Sequence, residues 1–411
     1  MTSAAAPTAR GIRPGLMVVL GYVAMAGSLS TDLYLPSFPG IMQDLGVGAS
    51  AVQLTLTAFL LGAAVGQLLI GSVSDALGRR RTLIVALTIF TLCCYLASMS
   101  PTLEALVAVR AVQGVAGASG VVLARAIVSD LADRAAAVRA FGTLFVFIAL
   151  GPAIASPLGA WLTQWGGWRT ALLGLAIIAT GMLLAAILRI PETLPRTSRH
   201  PLTIRALATN VSRLVRDVGY LGYAIAFAAG YGALMAYISS SSFLAQEVFG
   251  VSPLGYSLIF SLSSVAIMFG AAATARVGDR IGGERTLRYA QLLVLLAAGS
   301  AAAVAVVGVL TLPVYIVLVC IFAVGCGAVM STASALAVGA AVGIAGAGSA
   351  VLGFAQFVFG AGASPLGGIL GTQTPVPALV AMTGFAVIGL ISGEVGRRRT
   401  RVRDDRPLPR S

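Results

Sequence analysis

The stretch LMVVLGYVAMAGSLSTDLYLPSF, residues 16–38, decides the class of this chain. It is apolar over the length a helix needs to cross a bilayer, about 20 residues at 1.5 Å each. Near its end it reads Ser30-Thr31-Asp32-Leu33-Tyr34-Leu35-Pro36. Asp32 is the one carboxylate placed well inside any apolar run; the other acids fall in connections, in tails or at the ends of runs. A charge at that depth costs about 2.5–3.5 kcal/mol on insertion scales, so such a residue marks a functional site by default. The alternative is a span that ends early and leaves Asp32 among the headgroups, with Tyr34 and Pro36 at the boundary.

Eleven more runs of this kind follow. The twelve cover about 16–38, 51–73, 82–99, 103–128, 138–162, 170–190, 219–241, 254–275, 287–310, 313–336, 346–370 and 376–392. Long continuous runs predict helices rather than barrel strands, because a helix satisfies its own backbone groups in lipid. The expected fold is all-α, with 12 transmembrane helices. The chain is 58% hydrophobic and 10% charged, against roughly 25% charged in a soluble domain. All 27 of its basic residues are Arg. A net charge of +13 would point to nucleic acid in a soluble protein. Here it reads as loop charge that orients a membrane protein, with the lipid bilayer as partner and no nucleic acid. The start carries Arg10 and Arg13 and enters a full-length span, so no cleavable signal peptide is expected. The Ala-, Gly- and Arg-rich composition suggests a bacterial source.

Arginine placement sets the expected orientation. With the N-terminus in the cytoplasm, the inner segments hold Arg10 and Arg13; Arg79 to Arg81; Arg125, Arg134 and Arg139; Arg189 to Arg216; Arg276 to Arg288; and the tail from Arg397. The outer segments hold only Arg169, and Arg110 lies within the membrane. That asymmetry predicts both termini inside. The inner connection at about 337–345 carries no charge and is expected to be a short, tightly packed turn.

The longest polar connection, 191–218, contains Pro191-Glu192, Pro195, His200 and Pro201. It divides the chain into an N-terminal segment 1–15, a six-helix half 16–190, the central loop, a second half 219–392 and an Arg-rich tail 393–411. The halves repeat. Asp75-Ala-Leu-Gly78 recurs as Asp279-Arg280-Ile-Gly282, each followed by Arg-Thr-Leu; Ala-Ser-Pro-Leu-Gly occurs at 155–159 and again at 363–367. Parallel halves of this kind are a transporter architecture, with the substrate site between them near midplane.

Several motifs sit in this frame. The loop after the second run reads Gly71-Ser-Val-Ser-Asp75-Ala-Leu-Gly78-Arg79-Arg80-Arg81. Gly71 allows close helix approach, Gly78 a tight turn, and the arginines pin the loop inside; a plain topology anchor is the alternative. The fourth run carries Arg110-Ala-Val-Gln113-Gly114-Val-Ala-Gly117-Ala-Ser-Gly120. Arg110 and Gln113 share a helix face. At 1.5 Å per residue Arg110 lies roughly 10 Å and Asp32 roughly 9 Å from the outer ends of their runs, so the two are expected to be able to meet. They would form a proton-loading pair or a static salt bridge. The fifth run reads Gly151-Pro152-Ala-Ile-Ala-Ser156-Pro157-Leu-Gly159-Ala160, where Pro bends the helix and Gly lets neighbours close in. Tyr34, Tyr231 and Tyr237 are weak substrate-contact candidates, since aromatics in spans also serve packing; Gln113 and Gln356 are better, because a buried amide needs a partner. Cys93, Cys94, Cys320 and Cys326 lie in apolar runs without metal-ligand spacing, so they read as apolar filler and no metal site is expected. His200, the only histidine, sits in the polar loop and is discounted as proton carrier.

The Gly71–Arg81 loop resembles the signature loop of the major facilitator superfamily, except that Ala76 stands where a basic residue is usual. The Gly151–Ala160 segment resembles the motif of its drug:proton antiporters, with Ser156 and Ala160 at positions usually Gly. The Ser30–Pro36 stretch, the Tyr223–Pro253 region and Gly348–Gln356 resemble the bicyclomycin-resistance (Bcr/CflA-type) branch, and the likeness covers about 16–392. The resemblance implies the major facilitator fold of two parallel six-helix repeats, and a monomeric antiporter of the inner membrane. It would export small amphipathic drugs, bicyclomycin- or chloramphenicol-like, against protons, with no cofactor. Asp32 and Arg110 would couple the proton. Gly71, Asp75, Gly78, Arg79, Arg80, Asp279 and Arg280 would form the gating loops, and Gly151, Pro152, Pro157 and Gly159 the bending helix. A metabolite exporter is the nearest rival. A membrane enzyme would need a nucleophile or metal cluster near the interface, and no His/Asp grouping of that kind is present in the sequence. Without Lys there is no phosphate-binding lysine loop to drive ATP hydrolysis.

Overall fold

A computed structural model describes residues 12–404 except 133, 200–203, 342–343 and 372–373. Arg10, His200 and the last residues of the tail lie outside the described part. The described residues are almost wholly helical, with no strand among them. Each predicted run is a helix because its backbone groups have no other partner in lipid.

We number the spans 1 to 12 in chain order. Span 1 is broken into Pro14–Ala24 and Ala26–Asp32, then a 3-10 turn Leu35–Ser37 and a short helix Phe38–Leu45. Spans 2, 3 and 4 are Ala49–Leu77, Arg79–Ser98 and Leu103–Leu131. Spans 5 and 6 run without a loop through Arg134–Arg189, interrupted only at Gly166 and Gly167. The connection expected there is a two-residue break, made possible by Gly167 at φ +73°. Spans 7 to 10 are Val218–Phe243, Pro253–Ile281, Gly283–Val306 and Leu312–Ala340. Span 11 is Ala345–Ala363 followed by a 3-10 segment Ser364–Gly368, and span 12 is Val376–Asp404. Two polar segments are more ordered than their composition suggests. The central connection holds a helix, Ile204–Arg216, and the basic tail continues span 12, where Arg397 and Arg398 grip Glu394 at 2.5 and 3.1 Å.

Spans 1–6 and 7–12 repeat one packing scheme. A Cβ at Gly62 of span 2 would lie 2.0 Å from the Ala111 carbonyl of span 4, and one at Gly270 of span 8 would lie 1.9 Å from the Val324 carbonyl of span 10. Gly114 meets the Phe59 carbonyl at 2.0 Å, as Gly327 meets that of Ile267. Each pair is a backbone-to-backbone contact that any side chain would block. The close approach between spans 2 and 4 therefore comes at Gly62, not at Gly71, whose nearest neighbour would be Val122 at 3.9 Å.

The arginines cluster at one end of the bundle. At the other end Arg169 is ion-paired with Asp44 and stacks on Trp168, whose indole donates to the same carboxylate at 3.0 Å. The one arginine predicted at that end is thus neutralised locally. The connection after span 10 is as short as expected: Ala341 and Ile344 flank 342–343, which lie outside the described residues.

Candidate proton and substrate site

The break in span 1 makes the site. Asp32 is the last residue of Ala26–Asp32, and the turn that follows folds over it, leaving Tyr34, Leu35 and Ser37 buried. Asp32 itself is 4% exposed. The span does not end there: it continues through Leu35–Ser37 into Phe38–Leu45, so Asp32 lies at an internal break. Its Oδ1 accepts a hydrogen bond from Thr31 Oγ1 at 3.0 Å. On the far side the carboxylate lies within electrostatic range of the Tyr231 and Tyr256 hydroxyls of spans 7 and 8.

Arg110 does not meet it. Among the described residues no ion pair joins Asp32 and Arg110. Arg110 is 0% exposed. Its Nη1 donates to Ser30 Oγ at 2.8 Å and to Gln113 Oε1 at 2.7 Å. Its guanidinium carbon lies 4.5 Å from the ring centres of both Tyr34 and Phe59. Nε and Nη2 have no partner. The cation is held by two π faces and two neutral acceptors, an arrangement that stabilises charge without a carboxylate. Counting depth along straight helices put both residues at one level, but it could not give the direction in which each side chain leaves its helix.

The same geometry sorts the substrate candidates. Tyr34 is wholly buried, its hydroxyl on Thr55 Oγ1 at 2.9 Å. Gln113 is wholly buried and donates to Cys94 Sγ at 2.9 Å. Tyr237 bonds Ser263 at 2.9 Å among Phe260 and Phe322. These three belong to the interiors of their own halves. Tyr231 and Gln356 are half-buried and adjacent, and Tyr231 packs edge-on against Phe357 at 5.8 Å. Tyr231, with Gln356 beside it, lies within electrostatic range of Asp32.

The fifth span packs directly on this region. A Cβ at Gly151 would meet Ser28 Oγ at 2.3 Å, and one at Gly159 would lie 1.6 Å from the Leu33 carbonyl, beside Asp32. Pro152 and Pro157 lie inside the helix between them. In the second repeat Gly367 stands equally close to Ser240 of span 7, at 1.7 Å.

At the arginine-rich end, Gly78 takes φ +100° between spans 2 and 3, a backbone state suited to glycine. Arg79 pairs with Asp75 at 2.5 Å and with Asp130 of span 4 at 3.1 Å, and donates to Ser74 Oγ at 2.6 Å. Arg80 donates to the Ile187 carbonyl at 2.8 Å. Glu192, just past span 6, accepts from the Arg79 backbone N–H at 2.9 Å and caps span 3. Sequence reasoning missed Asp130 and Glu192, because each looks like one more acid at the end of a run. The second copy differs: Asp279 and Arg280 are exposed and form no ion pair among the described residues.

Three comparisons agree with this architecture. The family model described as Major Facilitator Superfamily matches residues 19–372. The chain is 35% identical to an uncharacterized MFS-type transporter, YdgK, of Bacillus subtilis over 92% of its own length and 94% of the relative's. It is 29% identical to a bicyclomycin resistance protein homolog of Haemophilus influenzae over 67% and 69%. Among solved structures, a bacterial homolog of the human lysosomal transporter Spinster, inward-facing and unoccupied, shares the fold with a TM-score of 0.73 at 15% identity, over 97% of this chain and 100% of that one. The chain is therefore a multi-pass membrane transporter, not an enzyme, and belongs to the Major Facilitator Superfamily.

Proposed function

We propose that this protein is a proton-coupled exporter of small amphipathic compounds in a bacterial inner membrane, and that Asp32 carries the proton. The observation that supports this most is the setting of Asp32: a buried carboxylate at a helix break, without a cationic partner among the described residues, facing the second half. Charge there bears the full cost of burial, so gaining or losing a proton changes the energy of the surrounding contacts. Tyr231 and Gln356 offer a polar-aromatic wall opposite, suited to an amphipathic drug such as chloramphenicol. The resistance-protein relative favours drugs over metabolites.

In this account both termini and the arginine-rich end face the cytoplasm. The halves 16–190 and 219–392 rock as bodies about the central site, and one copy is sufficient. The Pro and Gly residues of span 5 let it flex against span 1 beside Asp32. Asp75, Arg79 and Asp130 brace the cytoplasmic gate. A membrane potential supplies about 2.3 kcal/mol per charge per 100 mV, which supports a gradient of several tens-fold for a neutral drug. The test is gradient-driven uptake of chloramphenicol and of a cationic dye into inverted vesicles. Uptake is expected in the wild type and not in Asp32→Asn; uptake that persists in the variant removes Asp32 from the role.

A further inference from the structure

Span 2 carries Ser50, Gln53 and Thr57 at helical spacing on one face, and all three reach across to the other half. Ser50 Oγ donates to the Pro365 carbonyl at 3.1 Å, and Thr57 Oγ1 to the Ala361 carbonyl at 3.2 Å. Gln53 is the centre of the set and is 0% exposed. Its Nε2 donates to the Ser239 carbonyl at 3.0 Å and to Ser240 Oγ at 3.3 Å. Its Oε1 accepts from the Gly368 N–H at 3.1 Å, and its own carbonyl accepts from Ser364 Oγ at 3.3 Å. Both ends of one side chain thus bind spans 7 and 11 to span 2. Close by, Gln246 donates to the Pro36 carbonyl at 3.1 Å, and Phe38 meets Phe243 at 5.7 Å. These contacts gather at the arginine-poor end, where span 2 begins and span 11 finishes.

We propose that Gln53 is the latch of the arginine-poor gate, holding spans 2, 7 and 11 together while the site is open only to the other side. The 3-10 segment Ser364–Gly368 is what makes the latch possible. A regular helix would use these backbone groups internally, whereas the tightened turn around Pro365 leaves carbonyls and the Gly368 N–H for the partner half. Small residues bring the backbones within reach: a Cβ at Gly368 would lie 2.5 Å from the Ser50 nitrogen and 2.8 Å from Gln53 Oε1. A polar latch also suits a gate that must reopen in every cycle. Its hydrogen bonds exchange for bonds to water on opening, so the net preference for closure stays modest. An apolar seal of the same area would have to expose that area to water each time.

The latch rests on alternating access as proposed above, so its test uses no transport assay. Hydrogen–deuterium exchange is measured on purified protein without substrate for wild type, Gln53→Ala and Gln53→Glu, at pH 8 and pH 5. In Gln53→Ala, exchange of the peptides spanning 236–246 and 361–371 should accelerate about 30-fold, while peptides at the arginine-rich end keep their wild-type rates. At pH 8 the Gln53→Glu carboxylate has no proton to donate to Ser239, so exchange should be fast; at pH 5 its protonation should return the peptides toward wild-type rates. Unchanged exchange at both sites in Gln53→Ala, or acceleration spread evenly over all twelve spans, would overturn the latch. Because exchange is read without substrate, its outcome is independent of whether the proposed cargo is correct.

Discussion

Arg110 and Asp32 are separate in this state, and a double-mutant cycle measures that separation. The perturbations are Arg110→Met, Asp32→Asn and the pair together. Arg110→Met removes two charge-assisted hydrogen bonds, about 1.5–3 kcal/mol each, and two cation–π contacts, about 0.5–2 kcal/mol each. It also leaves Gln113 Oε1 without its donor, about 1–3 kcal/mol. Against this, it relieves the buried charge, about 2.5–3.5 kcal/mol, and two unpartnered N–H groups, about 1–3 kcal/mol each. The two sides nearly cancel and leave a net destabilisation of about 2 kcal/mol. Asp32→Asn removes a buried acid that no cation among the described residues balances, so it costs little or stabilises. The coupling energy follows from the geometry. Residues without shared partners add within about 0.5 kcal/mol, whereas breaking one side of a buried ion pair costs about 3–5 kcal/mol. Equilibrium unfolding by denaturant in mixed micelles gives all four free energies. A coupling below about 1 kcal/mol is expected. A coupling of about 3 kcal/mol or more would mean that the two charges pair in the resting protein, and would refute the separation described here.

Two further predictions concern the scaffold. Gly114→Val should destabilise by about 1–3 kcal/mol through overpacking against the Phe59 carbonyl, while Gly71→Ala, whose Cβ would make only ordinary contact with Val122 at 3.9 Å, should stay within about 0.5 kcal/mol; thermal melting in detergent compares the two. Glu192→Ala should cost about 1 kcal/mol by uncapping span 3, and Glu192→Gln should recover most of it, since an amide oxygen still accepts from Arg79 and the 3.6 Å contact with Arg199 is partly solvated. Equal loss in both variants would assign the effect to the ion pair instead.

The spans were legible because bilayer thickness sets their length and lipid leaves the backbone one choice. The repeat was legible for a related reason. Copies such as Ala-Ser-Pro-Leu-Gly at 155–159 and 363–367 do the same job, each placing a glycine against the first span of its half. What composition and spacing could not show was direction. Tyr34, Gln113 and Tyr237 are polar or aromatic residues in apolar runs, just as Tyr231 and Gln356 are, yet of these five it is Tyr231, with Gln356 beside it, that comes within electrostatic range of Asp32. Gly71 and Gly62 both read as helix-packing glycines, and only contact with span 4 separates them. Gln53 carried a usable signal, a glutamine flanked at helical spacing by Ser50 and Thr57 within an apolar run. Its partners, however, lie 186 residues away in span 7 and 315 residues away in the irregular turn of span 11, and no local pattern announces that.

The central claim is that Asp32 exchanges its proton for substrate. The most direct measurement is proton release from purified protein in weakly buffered detergent solution as substrate is added, compared between wild type and Asp32→Asn, with binding followed in parallel. The account predicts release that saturates with substrate in the wild type, and none in Asp32→Asn. Equal release from both proteins, or substrate binding to the wild type without any release, would contradict it.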